Sequence, residues 1–398
     1  MIDKTEIKSL TAKYYDQVVS FRRYFHQHPE LSKKEKETSR FICNKLDEWG
    51  IKYNNNIYGY GVFGFIDGKD PEKRCIALRA DMDALPIKEE TNLEFKSINE
   101  GVMHACGHDL HLSTLLGTIK ILNELKDTFS GRIMFIFQPS EEEYPGGAIS
   151  MIKAGIFNEV KPEAIMAFHC TPELPCGHIA LRKGKMMAST DEIYIKIIGK
   201  GGHGATPHLD IDPVVAACQV VTALQTIVSR NANPTMPTTF SVGRFIAEGR
   251  TNIIPNEVNM DCIIRTFDED WRKQCHDLIK RISENTAKAF GCTADVFVDH
   301  GYPFVYNNPQ LTEFVTNSLT ELFGKDMVQE ADMRMTAEDF AYFGQVVPAC
   351  YFRLGTHIEG EDIYNLHSSR FNANEKALLF AMQSEIYLAL KYLDTFSK

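Results

Sequence analysis

Four stretches of this chain concentrate side chains that bind metals or move protons. In Leu78-Arg79-Ala80-Asp81-Met82-Asp83-Ala84-Leu85-Pro86, two carboxylates follow an apolar run that reads as a buried strand. The edge where strands of an open α/β sheet end is where ligands bind, although loop acids that cap the next element look the same. Met103-His104-Ala105-Cys106-Gly107-His108-Asp109-Leu110-His111 packs three histidines, a cysteine and an aspartate into one short segment. A thiolate and an imidazole with glycine between them can reach one centre, and that pairing suits zinc and similar ions. Asp109 as a helix-entry acid and Cys106 as a buried thiol is the plainer alternative. Phe137-Gln138-Pro139-Ser140-Glu141-Glu142-Glu143 sets three adjacent acids after another strand. Such a run is ordinarily a solvated loop, unless a metal takes one carboxylate and leaves its neighbour as a general base. His169 at the end of Ile165–Phe168 and His367 in Asn365-Leu366-His367-Ser368 are isolated histidines. Their weight depends on the fold bringing them to the same edge.

A different cluster lies further on, Gly199-Lys200-Gly201-Gly202-His203-Gly204-Ala205-Thr206-Pro207-His208. Its glycines permit a tight loop that presents His203. Asn252 and Arg265 fall on or near strands of the same region, and Arg265 could grip a carboxylate in two-pronged fashion. An ordinary turn and a surface arginine fit the same residues.

The elements that position these groups follow from hydrophobic period. Ile7, Leu10, Tyr14, Val18, Phe21 and Phe25 predict a first helix ended by His28-Pro29. A second helix runs from about residue 34 to Gly50. Short apolar runs at 62–66, 75–79, 132–137 and 164–168, with a long helix over 110–125, predict an α/β domain with a mostly parallel sheet flanked by helices. From about residue 184 the order becomes β-α-β-β-α-β, with strands near 192–198, 238–245, 258–267 and 293–298 and helices over 212–230 and 271–290. That is the order of a ferredoxin-like α+β domain. From about residue 299 the first pattern resumes, ending in a helix over 375–392. The expected organisation is therefore residues 1–183 with 299–398 as a catalytic domain and 184–298 as an inserted lid.

The bulk properties exclude little but are consistent. A chain of 398 residues favours two domains. Its formal net charge of -10 and lack of a basic tract disfavour nucleic-acid binding. No signal-like segment or apolar run of membrane-spanning length is read, so the expectation is a cytoplasmic protein with no membrane partner. Ten scattered cysteines in so large a chain read as thiols rather than a disulfide scaffold.

Taken together, R-A-D-M-D-A-L-P, M-H-A-C-G-H-D, Q-P-S-E-E, G-K-G-G-H-G-A-T-P-H, T-N-I-I-P-N, A-E-D-F and N-L-H-S-S-R-F-N resemble, in order and over nearly the whole chain, the metallopeptidase family of aminoacylases, carboxypeptidase G and succinyl-diaminopimelate desuccinylase. The nearest branch contains hippurate hydrolase, N-acetyldiaminopimelate deacetylase and the indole-acetyl-amino-acid hydrolases. The resemblance implies hydrolysis of N-acyl amino acids with two divalent metal ions per chain, Zn²⁺ or Mn²⁺, with Co²⁺ and Ni²⁺ also compatible. It implies Cys106, His108, Glu142, His169 and His367 as metal ligands and Glu141 as general base. Asp83 matches the aspartate of the active centre, and Asp81 stands where the wider family carries a histidine ligand. His203 resembles the lid histidine that approaches the substrate carbonyl, and Asn252 and Arg265 resemble lid residues near the substrate carboxylate. A homodimer through the lid is implied as well. Tyr144-Pro145 before Gly146-Gly147 departs from the pattern and bears on the pocket rim. Three alternatives stay open: an aminopeptidase or dipeptidase with the same metals, a cysteine hydrolase using Cys106, and a non-catalytic metal binder.

Overall fold

The computed structural model describes residues 3–395. In chain order the first part carries helices α1 (Lys4–Gln27) and α2 (Lys36–Glu48), strands β1 (Tyr53–Ile57), β2 (Gly61–Asp67) and β3 (Cys75–Asp81), helix α3 (His108–Glu124), strand β4 (Arg132–Gln138), helix α4 (Gly147–Lys153), and strands β5 (Ala164–Pro175), β6 (Ile179–Leu181) and β7 (Gly184–Met187). The middle carries β8 (Asp191–Ile198), β9 (Gly202–His203), α5 (Pro213–Leu224), β10 (Thr239–Ile246), β11 (Ile253–Ile254), β12 (Glu257–Arg265), α6 (Glu269–Ala289) and β13 (Thr293–His300). The last part adds β14 (Val305–Asn307), α7 (Pro309–Phe323), β15 (Val328–Glu330), α8 (Ala341–Gly344), β16 (Ala349–His357) and α9 (Ala377–Thr395). These elements form two compact units. One is the chain up to Met186 with Tyr306–Asp332 and everything from Asp339 on; the other is Met187–Val305 with Met333–Glu338.

The first unit is built on an eight-stranded sheet in the order β1-β2-β4-β3-β5-β16-β6-β15. Its centre, β4-β3-β5-β16, is parallel, while β1, β2 and the β16–β6 pair run antiparallel. The central strands are buried on both faces, so they read as continuous apolar runs such as Ile133-Met134-Phe135-Ile136-Phe137. Helices α1, α3 and α9 pack on one another on this sheet. Asp3 caps α1 by accepting from the Thr5 amide at 3.1 Å, and the helix buries Ile7, Val18, Phe21 and Phe25 at three- and four-residue spacing. Arg22 of α1 reaches the start of α3, where its Nε donates to Asp109 Oδ2 at 3.1 Å with both side chains buried. Each large apolar side chain so enclosed contributes roughly 1.5–3 kcal/mol by leaving water.

The second unit holds a four-stranded antiparallel sheet, β10-β12-β8-β13. Connected through α5 and α6, its strands run β-α-β-β-α-β along the chain. One face is apolar: Ile193, Ile195 and Ile197 of β8 and Val258, Met260, Cys262 and Ile264 of β12 meet Ala216, Val220 and Leu224 of α5 and Cys275 and Ile279 of α6. The strict alternation of β8 and β12 reflects this one-sided burial. Both helices begin at aspartate caps, Asp212 accepting from Val214 N at 2.8 Å and Asp268 from Trp271 N at 2.9 Å. Pro213–Asn231 is the one stretch among the described residues whose length and composition match a membrane span; its Ala216, Ala217, Val220 and Leu224 lie in this core.

Helix α9 carries a carboxyl group into the core of the first unit. Glu385 is buried, and its Oε2 has no hydrogen-bond partner. Burial raises its pKa to about 8, against a small opposing effect of the neighbouring Thr118. A folded-state pKa above the unfolded value means that the unfolded chain gives up this proton first as pH rises. Glu385 therefore favours folding fully below about 4.5 and loses that contribution as pH climbs to about 8. Glu385→Gln is expected to flatten the fall in Tm between pH 5 and 8. Thermal melts of both proteins at matched ionic strength check this, and identical slopes would contradict it.

Candidate active site

The parallel strands end together, and the acids and histidines of the sequence motifs gather at that edge. β3 ends at Asp81 and leads to Asp83; β4 ends at Gln138, the register partner of Asp81, and leads to Glu141 and Glu142. His169 lies on β5 opposite Arg353 of β16. Cys106 and His108 flank Gly107 at the start of α3. Gly107 has φ 81°, and a Cβ there would lie 2.3 Å from Cys170 Sγ, so only glycine allows this turn. His367 enters from the loop before α9 in a left-handed conformation, φ 65°, its amide donating to Ala105 O at 2.8 Å. Such a conformation is uncommon for histidine and concentrates at functional sites.

Hydrogen bonds to the far ring nitrogens fix what the histidines can do. A carbonyl oxygen only accepts, so His108 Nδ1, 2.8 Å from Asp83 O, and His169 Nδ1, 2.7 Å from Cys170 O, must both be donors. In the neutral rings Nε2 is then the atom that carries the lone pair and can bind a metal. His108 Nε2 is buried with no hydrogen-bond partner, as is Glu142 Oε1, and the two lie 3.9 Å apart. His169 Nε2 lies 3.3 Å from Cys106 Sγ, and His367 Nε2 lies 3.4 Å from Glu142 Oε1. The ligand atoms of Cys106, His108 and His169 fall within 4.8 Å of one another, as do those of Cys106, Glu142 and His367. Mixed sulfur, nitrogen and oxygen donors with lone pairs converging, two of them buried and orphaned, fit divalent transition metals. His111 differs. Its Nε2 accepts from Cys170 N at 3.0 Å and its Nδ1 donates to Asp81 Oδ1 at 2.6 Å, so both nitrogens are engaged.

Asp83 shapes the glutamate loop. It is buried, and its carboxylate accepts from Ser32 Oγ at 2.6 Å, Glu141 N at 3.0 Å and Glu142 N at 2.9 Å. The preceding amide, Ser140 N, donates to Glu35 Oε1 at 2.8 Å, with Ser140 itself at φ 56°. Three successive amides therefore point at two buried carboxylates, and the loop is wrapped around them. Glu141 is nearly buried, and its Oε1 accepts a 3.4 Å hydrogen bond from Asp339 N.

Electrostatically the edge attracts positive charge. Burial disfavours a charged His108, yet Asp81, Asp83 and Glu142 raise its pKa to about 10. Burial, together with Glu142 and Glu141, pushes the Cys106 thiol well above its ordinary value. A thiol so placed is a weak nucleophile unless a cation offsets the carboxylates. Burial likewise holds His169 well below its ordinary value, with His111 and Arg353 acting in the same direction. The groups present thus favour a neutral imidazole at His169 and a cation among the acids.

Of the residues singled out from sequence, Cys106, His108, Glu141, Glu142, His169, His367, Asp81 and Asp83 come together in the first unit. His203, Asn252 and Arg265 belong to the second. There His203 is exposed on β9, paired with Ile253, and its Nδ1 accepts from Ala205 N at 3.0 Å. Asn252 O accepts from Gly204 N at 3.0 Å, and Arg265 Nη1 donates to Met335 O at 3.0 Å. Sequence reasoning passed over Ser32, Glu35, Arg79, Gln138, His111 and Asp339, which hold the site from behind. Arg79, Gln138, His111 and Asp339 do lie inside the quoted motifs; Ser32 and Glu35 carried no signal.

An α/β unit with metal-capable donors and a retained glutamate at its strand ends defines a hydrolase. Residues 77–390 match the model of peptidase family M20/M25/M40, and the chain belongs to that family. It is 39% identical over 391 residues to thermostable carboxypeptidase 1 of Saccharolobus solfataricus, covering 97% of this chain and 98% of the relative. With the N-acyl-L-amino acid amidohydrolase of Geobacillus stearothermophilus it shares 43% identity over 304 residues, 76% of this chain and 81% of that one. Among solved structures, a dinuclear metal-binding peptidase of the M20 family from Bacillus subtilis superposes with a TM-score of 0.83 at 33% identity, covering 97% of this chain and 100% of the other.

Asp83→Ala leaves three donors, two of them buried and one half-buried, without an acceptor. At about 1–3 kcal/mol for each group so stranded, a loss of about 3 kcal/mol or more is expected. Urea unfolding of the two proteins measures it, and an unchanged midpoint would remove Asp83 as the organiser of the loop.

Proposed function

We propose that this protein is a metal-dependent amidohydrolase that splits N-acyl amino acids into a carboxylic acid and a free amino acid. The observation that carries the reading is the convergence of ligand atoms from Cys106, His108, Glu142, His169 and His367, with Glu141 beside them and hydrogen-bonded elsewhere. In this reading those five residues hold two divalent ions, zinc or manganese first among the candidates, with cobalt or nickel compatible. Such ions supply Lewis acidity, which makes a water molecule easier to deprotonate and a carbonyl easier to attack. Asp83 keeps both glutamates in register, and its backbone carbonyl keeps His108 in the binding tautomer. Glu141 takes a proton from the attacking water as oxygen joins the amide carbon, and delivers it to the nitrogen as the carbon–nitrogen bond breaks. His203 stabilises the oxygen that becomes negative. Arg265 and Asn252 bind the carboxylate of the departing amino acid.

A carboxypeptidase and an N-acyl-amino-acid hydrolase both cleave an amide whose nitrogen belongs to an amino acid with a free carboxylate. The thermostable carboxypeptidase and the N-acyl-L-amino acid amidohydrolase named above fall into these two groups, which supports a carboxylate anchor such as Arg265. Peptide cleavage, by an aminopeptidase, dipeptidase or carboxypeptidase with the same centre, is the second reading. Burial and the neighbouring Glu142 and Glu141 raise the pKa of the Cys106 thiol, which counts against a thiol nucleophile. The second unit serves in this reading as a ferredoxin-like lid and dimerisation domain. Exposed apolar side chains on it, Leu209, Val215, Ile253 and Phe297, support a partner surface. The protein is taken to act in the cytoplasm on small substrates.

Hydrolysis of N-acetyl and N-benzoyl amino acids and free dipeptides, with chelator and with Zn²⁺ or Mn²⁺ restored, tests the function. Release from acylated amino acids that chelation stops and metal restores is expected. Activity on free dipeptides alone would move the protein to the second reading, and chelator-indifferent activity of metal-free protein would overturn both. Glu141→Gln is expected to abolish turnover at unchanged metal content, whereas loss of metal would assign Glu141 to ligation. His203→Ala is expected to lower kcat by about 100-fold if it acts as an oxyanion donor; unchanged kinetics would remove it from the mechanism.

A further inference from the structure

We infer that Asp339 is the positioning residue for Glu141, an inference that rests on the reading of Glu141 as proton carrier. The A-E-D-F segment, Ala337-Glu338-Asp339-Phe340, is the one motif of the sequence left without a role by the reaction described above. Asp339 is fully buried. Its carboxylate accepts from Arg79 Nη2 at 2.9 Å, from Gln138 Nε2 at 2.9 and 2.8 Å, and from Ala148 N at 2.9 Å. These donors come from the end of β3, the end of β4 and the start of α4, so the carboxylate is fixed from three directions. Gln138 is locked in one orientation, because its Oε1 accepts from Arg79 Nε at 2.8 Å while its Nε2 serves Asp339. Phe340 adds a ring 5.8 Å from the Arg79 guanidinium. The backbone of Asp339 is therefore held firmly, and its N–H donates to Glu141 Oε1 at 3.4 Å.

The consequence is a sorting of two adjacent glutamates. Glu142 Oε1 has no hydrogen-bond partner and faces His367 Nε2 at 3.4 Å and His108 Nε2 at 3.9 Å. Glu141 has one oxygen drawn to the Asp339 amide. A carboxylate tethered in this way has one oxygen fixed in direction and keeps the other to receive a proton, which is the alignment that general-base catalysis needs. Asp339 touches no reacting atom; it acts through Glu141.

Asp339→Asn tests this on the full, metal-loaded chain. The amide keeps the size but must present hydrogens to Arg79, Gln138 or the Ala148 amide, all of which are donors, so the anchor loosens. A fall in kcat of about 10–100-fold is expected from a misaligned base, with KM within about two-fold and metal content by elemental analysis unchanged. A second readout is independent of turnover. Acetohydroxamic acid gives its hydroxyl proton to a neighbouring carboxylate on binding, whereas acetate gives none. Calorimetry is expected to show about ten-fold weaker acetohydroxamate binding in the variant, with acetate affinity unchanged. Unchanged kcat and hydroxamate affinity alongside a lowered Tm would reduce Asp339 to a structural residue, and lost metal would place its effect on ligation; either overturns the inference. If the asparagine variant fails to fold, Gln138→Leu, which removes one anchor and leaves the Arg79–Asp339 pair, is expected to shift kcat and hydroxamate affinity in the same direction by a few-fold; no shift overturns the inference. Should the wild type hydrolyse no N-acyl substrate while the hydroxamate difference persists, the proposed function fails and the positioning role stands.

Discussion

Buried negative charge at the ends of the parallel strands is the constraint on which the first unit depends. Asp81, Asp83, Asp339 and Glu141 are all nearly inaccessible to water, with Glu35 buried beside them. An isolated ionised carboxylate in such a place costs far more than the stability of a domain. Each must therefore be met by a donor. Arg79 bridges Asp81 and Asp339; three successive amides of the Ser140–Glu142 loop serve Glu35 and Asp83; His111 serves Asp81. Glu142 Oε1, buried without a hydrogen-bond partner, faces His108 and His367 instead, where a cation is the natural complement.

The same bookkeeping separates residues of identical type. His108 and His169 each donate through Nδ1 to a backbone carbonyl, which leaves Nε2 free. His111 has both nitrogens occupied, and its task is to tie β5 to Asp81. Asp81 and Asp83 are two residues apart, yet one balances an arginine and a histidine while the other organises a loop. The contrast between Glu141 and Glu142 arises in the same way, from which backbone donor each oxygen can reach.

Much of this was legible in the sequence. Short apolar runs announced the doubly covered strands β3, β4 and β5. The pattern changes near residue 184, and the second compact unit starts at Met187; Gly107 sits in a left-handed turn between Cys106 and His108, two metal-capable side chains. The antiparallel edge formed by β1 and β2, and the central place of β16, were not legible. Strand order depends on which surfaces bury best against one another, and no local pattern records it.

The sequence by itself determined the chemical inventory: a Cys-x-His pair, adjacent glutamates after a strand, paired aspartates after another, and the periods that make those strands and helices. Those are properties of neighbours along the chain, set by side-chain chemistry and local backbone preference. Only the tertiary structure decided which members of the inventory gather at the strand ends and which brace them from behind. The deciding hydrogen bonds join Glu35 to Ser140, Ser32 to Asp83, Arg79 to Asp339 and Asp339 to Glu141. Each spans dozens to hundreds of residues, and each exists because burial forces a polar group to find whatever partner the sheet order brings within reach.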